Sequence, residues 1–185
     1  MKRELIHVFD LDNTLVYTDA LNKDAYNYAL KQLGLEVSRI TTSKRITRDV
    51  VFHEYPELSV QQKDELIILK QCYFAENLID TVANTSLVKI LESCNKEFCV
   101  LWTSADRVRV LAILKHYKIH DAFQMVFYSP KVDIVTDVKA ICKFLKCDSN
   151  KLLFYEDDKQ IIDKLEKLKL NVINVCGFES ISWTR

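Results

Sequence analysis

The sequence predicts an α/β protein: a doubly wound parallel sheet with a small all-helical segment inserted after the first strand. Three observations predict it. The apolar run 5–9 ends at an acidic turn and reads as a buried first strand. Residues 17–84 then carry only helical periodicity. From Thr85 onward, helical patterns alternate with brief apolar runs, a βα alternation that implies a parallel sheet with helices on both faces and right-handed crossovers. The predicted division is a core of residues 1–16 and 85–185, with 17–84 as the helical insertion.

Taken in order, Leu21, Ala25, Ala29 and Leu33 repeat at helical spacing and Gly34 follows, the pattern of an amphipathic helix closed by glycine. A weaker helix is expected over 43–54, stopped by Pro56, because the residue before a proline is pushed out of the helical region. Ser59 with Gln62 makes a capping-box pattern that opens a long helix through Leu66, Leu69 and Tyr73 to about residue 79. Beyond Thr85 the expected order is helix 86–94, strand 98–102, helix 106–116, strand 125–128, helix 136–146, strand 152–155, helix 159–168 and strand 172–176. Asp106 is expected to cap the helix it precedes.

A chain of 185 residues suffices for one core carrying a smaller insertion. With 49% hydrophobic and 28% charged residues but only two glycines and two prolines, little remains for linkers or disorder. The 26 basic and 26 acidic residues cancel, so the overall field draws neither nucleic acid nor an anionic membrane surface. The start of the chain is charged and its apolar run soon meets Asp10 and Asp12, so neither a signal peptide nor a membrane span is expected there, and the expected location is cytoplasmic. Cys72, Cys94, Cys99, Cys142, Cys147 and Cys176 show no CxxC spacing and are expected as reduced, packed thiols.

Open parallel sheets bind ligands at the carboxyl ends of their strands. Here the first strand exits into Asp10, Leu11, Asp12, Asn13 and Thr14, the second core strand into Thr103 and Ser104, and the fourth into Glu156, Asp157 and Asp158. Gathering these carboxylates costs about 4 kcal/mol for each like-charge pair at roughly 4 Å and an effective dielectric of about 20. A positive partner is required. A hard divalent cation, Mg²⁺ above all, suits an oxygen-only donor set, whereas zinc prefers the His or Cys that these exits lack. Each segment also has a plainer reading, as a polar turn at 12–14, helix caps at Thr103 and Ser104, or dipole-favoured acids at 156–158. All three plain readings holding together, in this order and at strand exits, is the weaker account.

Val8-Phe9-Asp10-Leu11-Asp12-Asn13-Thr14-Leu15 resembles the first signature motif of the haloacid dehalogenase superfamily, an apolar strand followed by DxDxT. The stretch from Phe98 to Ser104 resembles the second motif, and that from Phe154 to Asp158 the fourth, in the Glu-Asp form of phosphoglycolate phosphatase and β-phosphoglucomutase-like members. The resemblance spans residue 5 to about residue 177 and implies a Rossmann-like core with 17–84 as a helical cap. It implies that Asp10 is the nucleophile forming an aspartyl-phosphate, and that Asp12 is general acid and base. Thr103, with Ser104 beside it, would hold a phosphoryl oxygen. Mg²⁺ would lie among Asp10, the backbone carbonyl of Asp12 and Asp157, with Glu156 reaching it directly or through water.

The third motif is a lysine, and two are available: Lys131, in a Pro130-Lys131 order reversed from the usual one, and Lys139 in the following helix. The spacing to Glu156 favours Lys131. Arg45, in a basic run with Lys44 and Arg48, is a candidate for the substrate's distal group, although a solvated helix face is the plainer reading. Asn13 stands where glycine is common, and asparagine tolerates positive φ. The expected function is a Mg²⁺-dependent phosphatase acting on a small phosphorylated metabolite. A phosphosugar mutase, a nucleotidase or a non-catalytic phosphate-binding module are the alternatives.

Overall fold

A computed structural model of the chain describes residues 5–40 and 45–176. The elements run β1 (Ile6–Phe9), β2 (Val16–Tyr17), α1 (Asp19–Gln32), α2 (Arg48–Glu54), α3 (Val60–Glu76), β3 (Val82–Ala83), α4 (Thr85–Ser93), β4 (Cys99–Thr103), α5 (Arg107–His116), β5 (Met125–Tyr128), α6 (Ile134–Leu145), β6 (Leu152–Glu156), α7 (Lys159–Lys167) and β7 (Asn171–Asn174). The chain divides into two compact units, one of the described residues up to Tyr17 and from Ala83 onward, the other Thr18–Val82.

The first unit is built on a five-stranded sheet of order β5-β4-β1-β6-β7 with every pairing parallel. The predicted doubly wound α/β fold is therefore the observed one. β1 is central because its four residues are apolar enough to be covered on both faces: Val8 and Phe9 are essentially inaccessible to solvent. Alternation along the strands sends Ile6, Val8, Val100, Trp102, Leu152 and Phe154 to one face, where Ile134, Val138 and Ile141 of α6 and Ile161 and Leu165 of α7 pack against them. The helices start where short acceptors satisfy their first N–H groups: Asn84 for α4, Asp106 for α5, Asp133 for α6 and Asp158 for α7. Asp106 thus caps its own helix as expected. Thr103 and Ser104 do not cap it.

The second unit packs α1 against α3 around Tyr26, Leu30, Val51, Tyr55 and Leu66. The capping box at Ser59 is complete, Gln62 N donating to Ser59 Oγ at 3.2 Å and Ser59 N to Gln62 Oε1 at 3.0 Å. Gly34 has φ +70° with nothing within 4 Å of an added Cβ, so the glycine after α1 meets a backbone demand and not a steric one. Two expectations shift. The helix expected over 43–54 starts at Arg48, because Ile46 is buried and gives its carbonyl to Asn22 Nδ2 at 2.8 Å, which leaves Thr47 extended as the cap; residues 43–44 lie outside the described ones. The span 17–84 is also not wholly helical, since α3 ends at Glu76, a 3₁₀ turn covers Leu78–Asp80, and β3 follows.

All six cysteines are free, but only Cys99 is buried, and Cys72 and Cys176 are exposed, so the packed reading holds fully for one of them. Among the described residues no helix is long and apolar enough to cross a membrane.

Candidate active site

The register of the central strands decides which side chains meet at their carboxyl ends. Val8 pairs with Val100 and with Phe154. Two residues further on, the same alternation brings Asp10, Trp102 and Glu156 out on one face, the face that α6 covers. Lys131 lies three residues before α6 and reaches in from that side: its Nζ donates to Asp10 Oδ1 at 2.6 Å and to Glu156 Oε2 at 2.6 Å, and stands 4.7 Å from the centre of the Trp102 ring. Lysine, aspartate and glutamate are all buried. Lys139 is exposed on α6, so of the two candidate lysines it is Lys131 that touches the acids.

Lys131 has φ +55°, a left-handed conformation that costs a side-chain-bearing residue about 1 kcal/mol or more. That turn is what aims its ammonium inward. Burial alone would push the lysine toward neutrality, but the charges and hydrogen bonds of Asp10 and Glu156 outweigh it and hold the ammonium above the ordinary lysine range. Glu156 moves the other way for a carboxylate: burial first, then the negative charge of Asp10, push it up to about 8 against the opposing pull of Lys131. One cation between two buried acids leaves the second acid short of countercharge. The other Glu156 oxygen accepts from the backbone N–H of Asp157 and of Asp158, both at 3.2 Å, which fixes the carboxylate's plane at the strand exit.

Asp10, Glu156 and Asp157 each offer a carboxylate oxygen, and these atoms lie within 4.8 Å of one another. Thr14 Oγ1 donates to Asp157 Oδ1 at 3.2 Å, so the turn after β1 also orients the acid at the end of β6. In that turn Asn13 takes φ +61°, as expected of an asparagine in glycine's place, with its N–H on the Val16 carbonyl at 2.7 Å. Thr103 is buried at the end of β4, where its Oγ1 accepts from Ala105 N at 3.1 Å. Ser104 is exposed. Arg45 belongs to the helical unit, where its Nε lies 3.3 Å from Asp19 Oδ1.

Two residues of this site were not singled out from the sequence. Arg109, on α5, reaches Asp12 with a guanidinium nitrogen on Oδ1, in a pair of which little is exposed. The strand exits are therefore met by Lys131 from the α6 side and by Arg109 from α5. Asp137, buried on α6, accepts from Trp102 Nε1 at 3.3 Å and from the Ser129 hydroxyl. Its signal was present in the sequence: Ile134, Val138 and Ile141 make an apolar stripe at helical spacing, and Asp137 is an acid inside it.

A family profile described as haloacid dehalogenase-like hydrolase matches residues 7–175. The chain belongs to that family. Among solved structures it resembles CbbY from Rhodobacter sphaeroides in complex with phosphate, with a TM-score of 0.73 and 13% identity over 92% of this chain and 85% of that one. It also resembles a subfamily IA hydrolase of the superfamily from Geobacter sulfurreducens (TM-score 0.66, 12% identity, 91% and 85% covered). A third similar structure is a predicted phosphatase from Clostridium acetobutylicum (TM-score 0.64, 18% identity, 91% and 82% covered). No curated protein sequence matches the chain.

Proposed function

We propose that this chain is a Mg²⁺-dependent phosphatase that hydrolyses a small phosphomonoester through an aspartyl-phosphate on Asp10. The observation that carries the reading is the Lys131 ammonium shared by Asp10 and Glu156 at the exit of the central strand, where an Asp157 carboxylate oxygen lies within 4.8 Å of theirs. The donor set fits the ion: carboxylate oxygens alone, from Asp10, Glu156 and Asp157, with no sulfur or imidazole among them. When bound, Mg²⁺ would offset the negative charge on the transferring group.

The chain's own groups divide the remaining work. An Asp10 carboxylate oxygen attacks phosphorus, and Lys131 keeps that carboxylate oriented while countering the charge of the phosphoryl oxygens. Asp12 gives a proton to the departing alkoxide oxygen and later takes one from the water that attacks the aspartyl-phosphate, releasing inorganic phosphate. Arg109 holds Asp12 in place for both transfers. Thr103, its hydroxyl anchored at the strand end, binds a phosphoryl oxygen with Ser104 beside it. The helical unit serves as the specificity cap, and Arg45 within it is the candidate for the substrate's distal group.

Hydrolysis of p-nitrophenyl phosphate with and without Mg²⁺, with Asp10→Asn as control, tests the reading. Turnover that requires both the ion and Asp10 is the expected result. A folded wild-type chain that leaves the ester intact under either condition overturns it.

A further inference from the structure

We propose that Asp137 is a positioning residue for Lys131, clamping from α6 both of the supports on which that lysine rests. The proposal builds on the phosphatase reading, since it concerns the lysine assigned there to the phosphoryl group. Lys131 is held at two points besides its acids. Its backbone N–H donates to Ser129 Oγ at 3.1 Å, which fixes the left-handed turn, and its ammonium lies over the face of Trp102 at 4.7 Å. Both supports lead to one atom: Asp137 Oδ2 accepts from the Ser129 hydroxyl and from Trp102 Nε1 at 3.3 Å.

Space filling does not explain an acid here. Asp137 is 8% exposed within the α6 stripe of Ile134, Val138 and Ile141, where an apolar residue would pack without the cost of desolvating a charge. What an apolar residue cannot do is accept two hydrogen bonds at once, one from the turn that sets the Lys131 backbone and one from the ring beneath its ammonium. Lys118, Lys146 and Lys169 take the same left-handed φ after helices, so what distinguishes Lys131 is not the angle but the hydroxyl that holds its N–H. The indole N–H, drawn to the carboxylate, fixes the ring plane. The hydroxyl, spent as donor on Asp137, is left with its lone pairs for the lysine N–H.

The experiment measures p-nitrophenyl phosphate turnover with Mg²⁺ for Asp137→Leu and Ser129→Ala, each in the wild-type chain and in a Lys131→Met background. A displacement of the lysine by about 1 Å predicts a loss in kcat approaching 10²-fold for Asp137→Leu, which accepts neither hydrogen bond, with KM changed much less. Ser129→Ala, which removes the hydroxyl's bonds to the Lys131 N–H and to Asp137 but leaves the indole bond, should lose about five- to thirtyfold. Neither substitution should lower kcat further once Lys131 is methionine. An equal loss in both backgrounds makes Asp137 a packing residue and overturns the proposal, as does wild-type kcat in Asp137→Leu.

A second readout does not need turnover. In a Trp183→Phe chain the emission of Trp102 reports both neighbours, so Lys131→Met and Asp137→Leu should each shift it, and the double variant should fall short of the sum. If the wild-type chain hydrolyses nothing, the phosphatase reading fails while this cycle still decides the clamp; additive shifts, or none from Asp137→Leu, refute it. Should Asp137→Leu not fold, Ser129→Ala decides alone, and wild-type kcat in that variant overturns the proposal.

Discussion

Replacing Lys131 by methionine keeps the unbranched stem to Cε and removes the ammonium, so it isolates what the charge does. In the native site that ammonium lies 2.6 Å from an oxygen of Asp10 and 2.6 Å from one of Glu156, and oxygens of the two acids lie within 4.8 Å of each other. With the cation gone, the two carboxylates face each other at that distance, a repulsion of roughly 3.5 kcal/mol at an effective dielectric of about 20. The figure agrees with the roughly 3–5 kcal/mol typical of breaking a buried ion pair. Glu156 offers relief, because it is pushed up to about 8 even against the opposing pull of Lys131, and without the lysine it takes a proton more readily still. The expected loss of stability is therefore at most about 3 kcal/mol, largest at pH 9 and distinctly smaller at pH 6. Urea unfolding of both proteins in chelator at the two pH values measures it. A loss that is the same at both, or larger at pH 6, would refute the charge argument. Turnover with Mg²⁺ should fall by about 10²–10³-fold, the scale set by removing one preorganised charge-stabilising group.

Glu156→Gln removes the raised carboxyl itself. A group whose folded pKa lies above its unfolded value contributes stability below the unfolded pKa and loses it as pH rises through the folded one, here from the ordinary 4.5 up to about 8. Metal-free wild-type protein should thus lose thermal stability between pH 5 and 8 and the Gln variant much less; parallel melting curves across that window would count against the assignment. Arg109→Met frees Asp12 from its guanidinium partner and should cut kcat by about ten- to a hundredfold, with Arg109→Lys recovering only part because lysine lacks the planar fork. Steady-state kinetics decide this, and an unimpaired Met variant would dissociate Arg109 from the acid–base step. At Asn13, with φ +61°, valine should cost roughly 1–3 kcal/mol and glycine almost nothing, as read from denaturant midpoints. Equal midpoints for the two variants would mean that the turn relaxes.

The sheet was legible because its strands are short apolar runs closed by residues with a second, local purpose. β1 stops at Asp10, β6 at the Glu156–Asp158 turn that also starts α7, and α5 and α6 open on aspartates that cap them. Apolar periodicity and capping chemistry are properties of neighbouring residues, and a sequence displays them directly. What decides between Lys131 and Lys139 is different in kind. It is one backbone angle, φ +55° at Lys131, held by a hydroxyl two residues earlier, and lysine carries no propensity that announces it. Arg109 escaped notice because its partner is 97 residues away, and a basic residue near a helix start reads as solvated until the fold sets it against Asp12. Asp137 was the one missed residue with a local sign, an acid interrupting an apolar stripe. The late start of α2 was hidden in the same way as the lysine, by a distant side chain, Asn22, that claims the Ile46 carbonyl.

The position of β1 in the middle of the sheet has a consequence for how activity is acquired. Its backbone is paired on both sides, to β4 and to β6, so its amide protons should exchange only when the whole sheet opens. Asp10 follows that strand directly, yet its countercharge, Lys131, comes 121 residues later in the chain. During synthesis or refolding, the acid emerges early and stays unneutralised until the far part of the sheet arrives to close around it. Recovery of turnover and protection of the β1 amides should therefore share one time course, with no catalytically competent species forming ahead of the completed sheet.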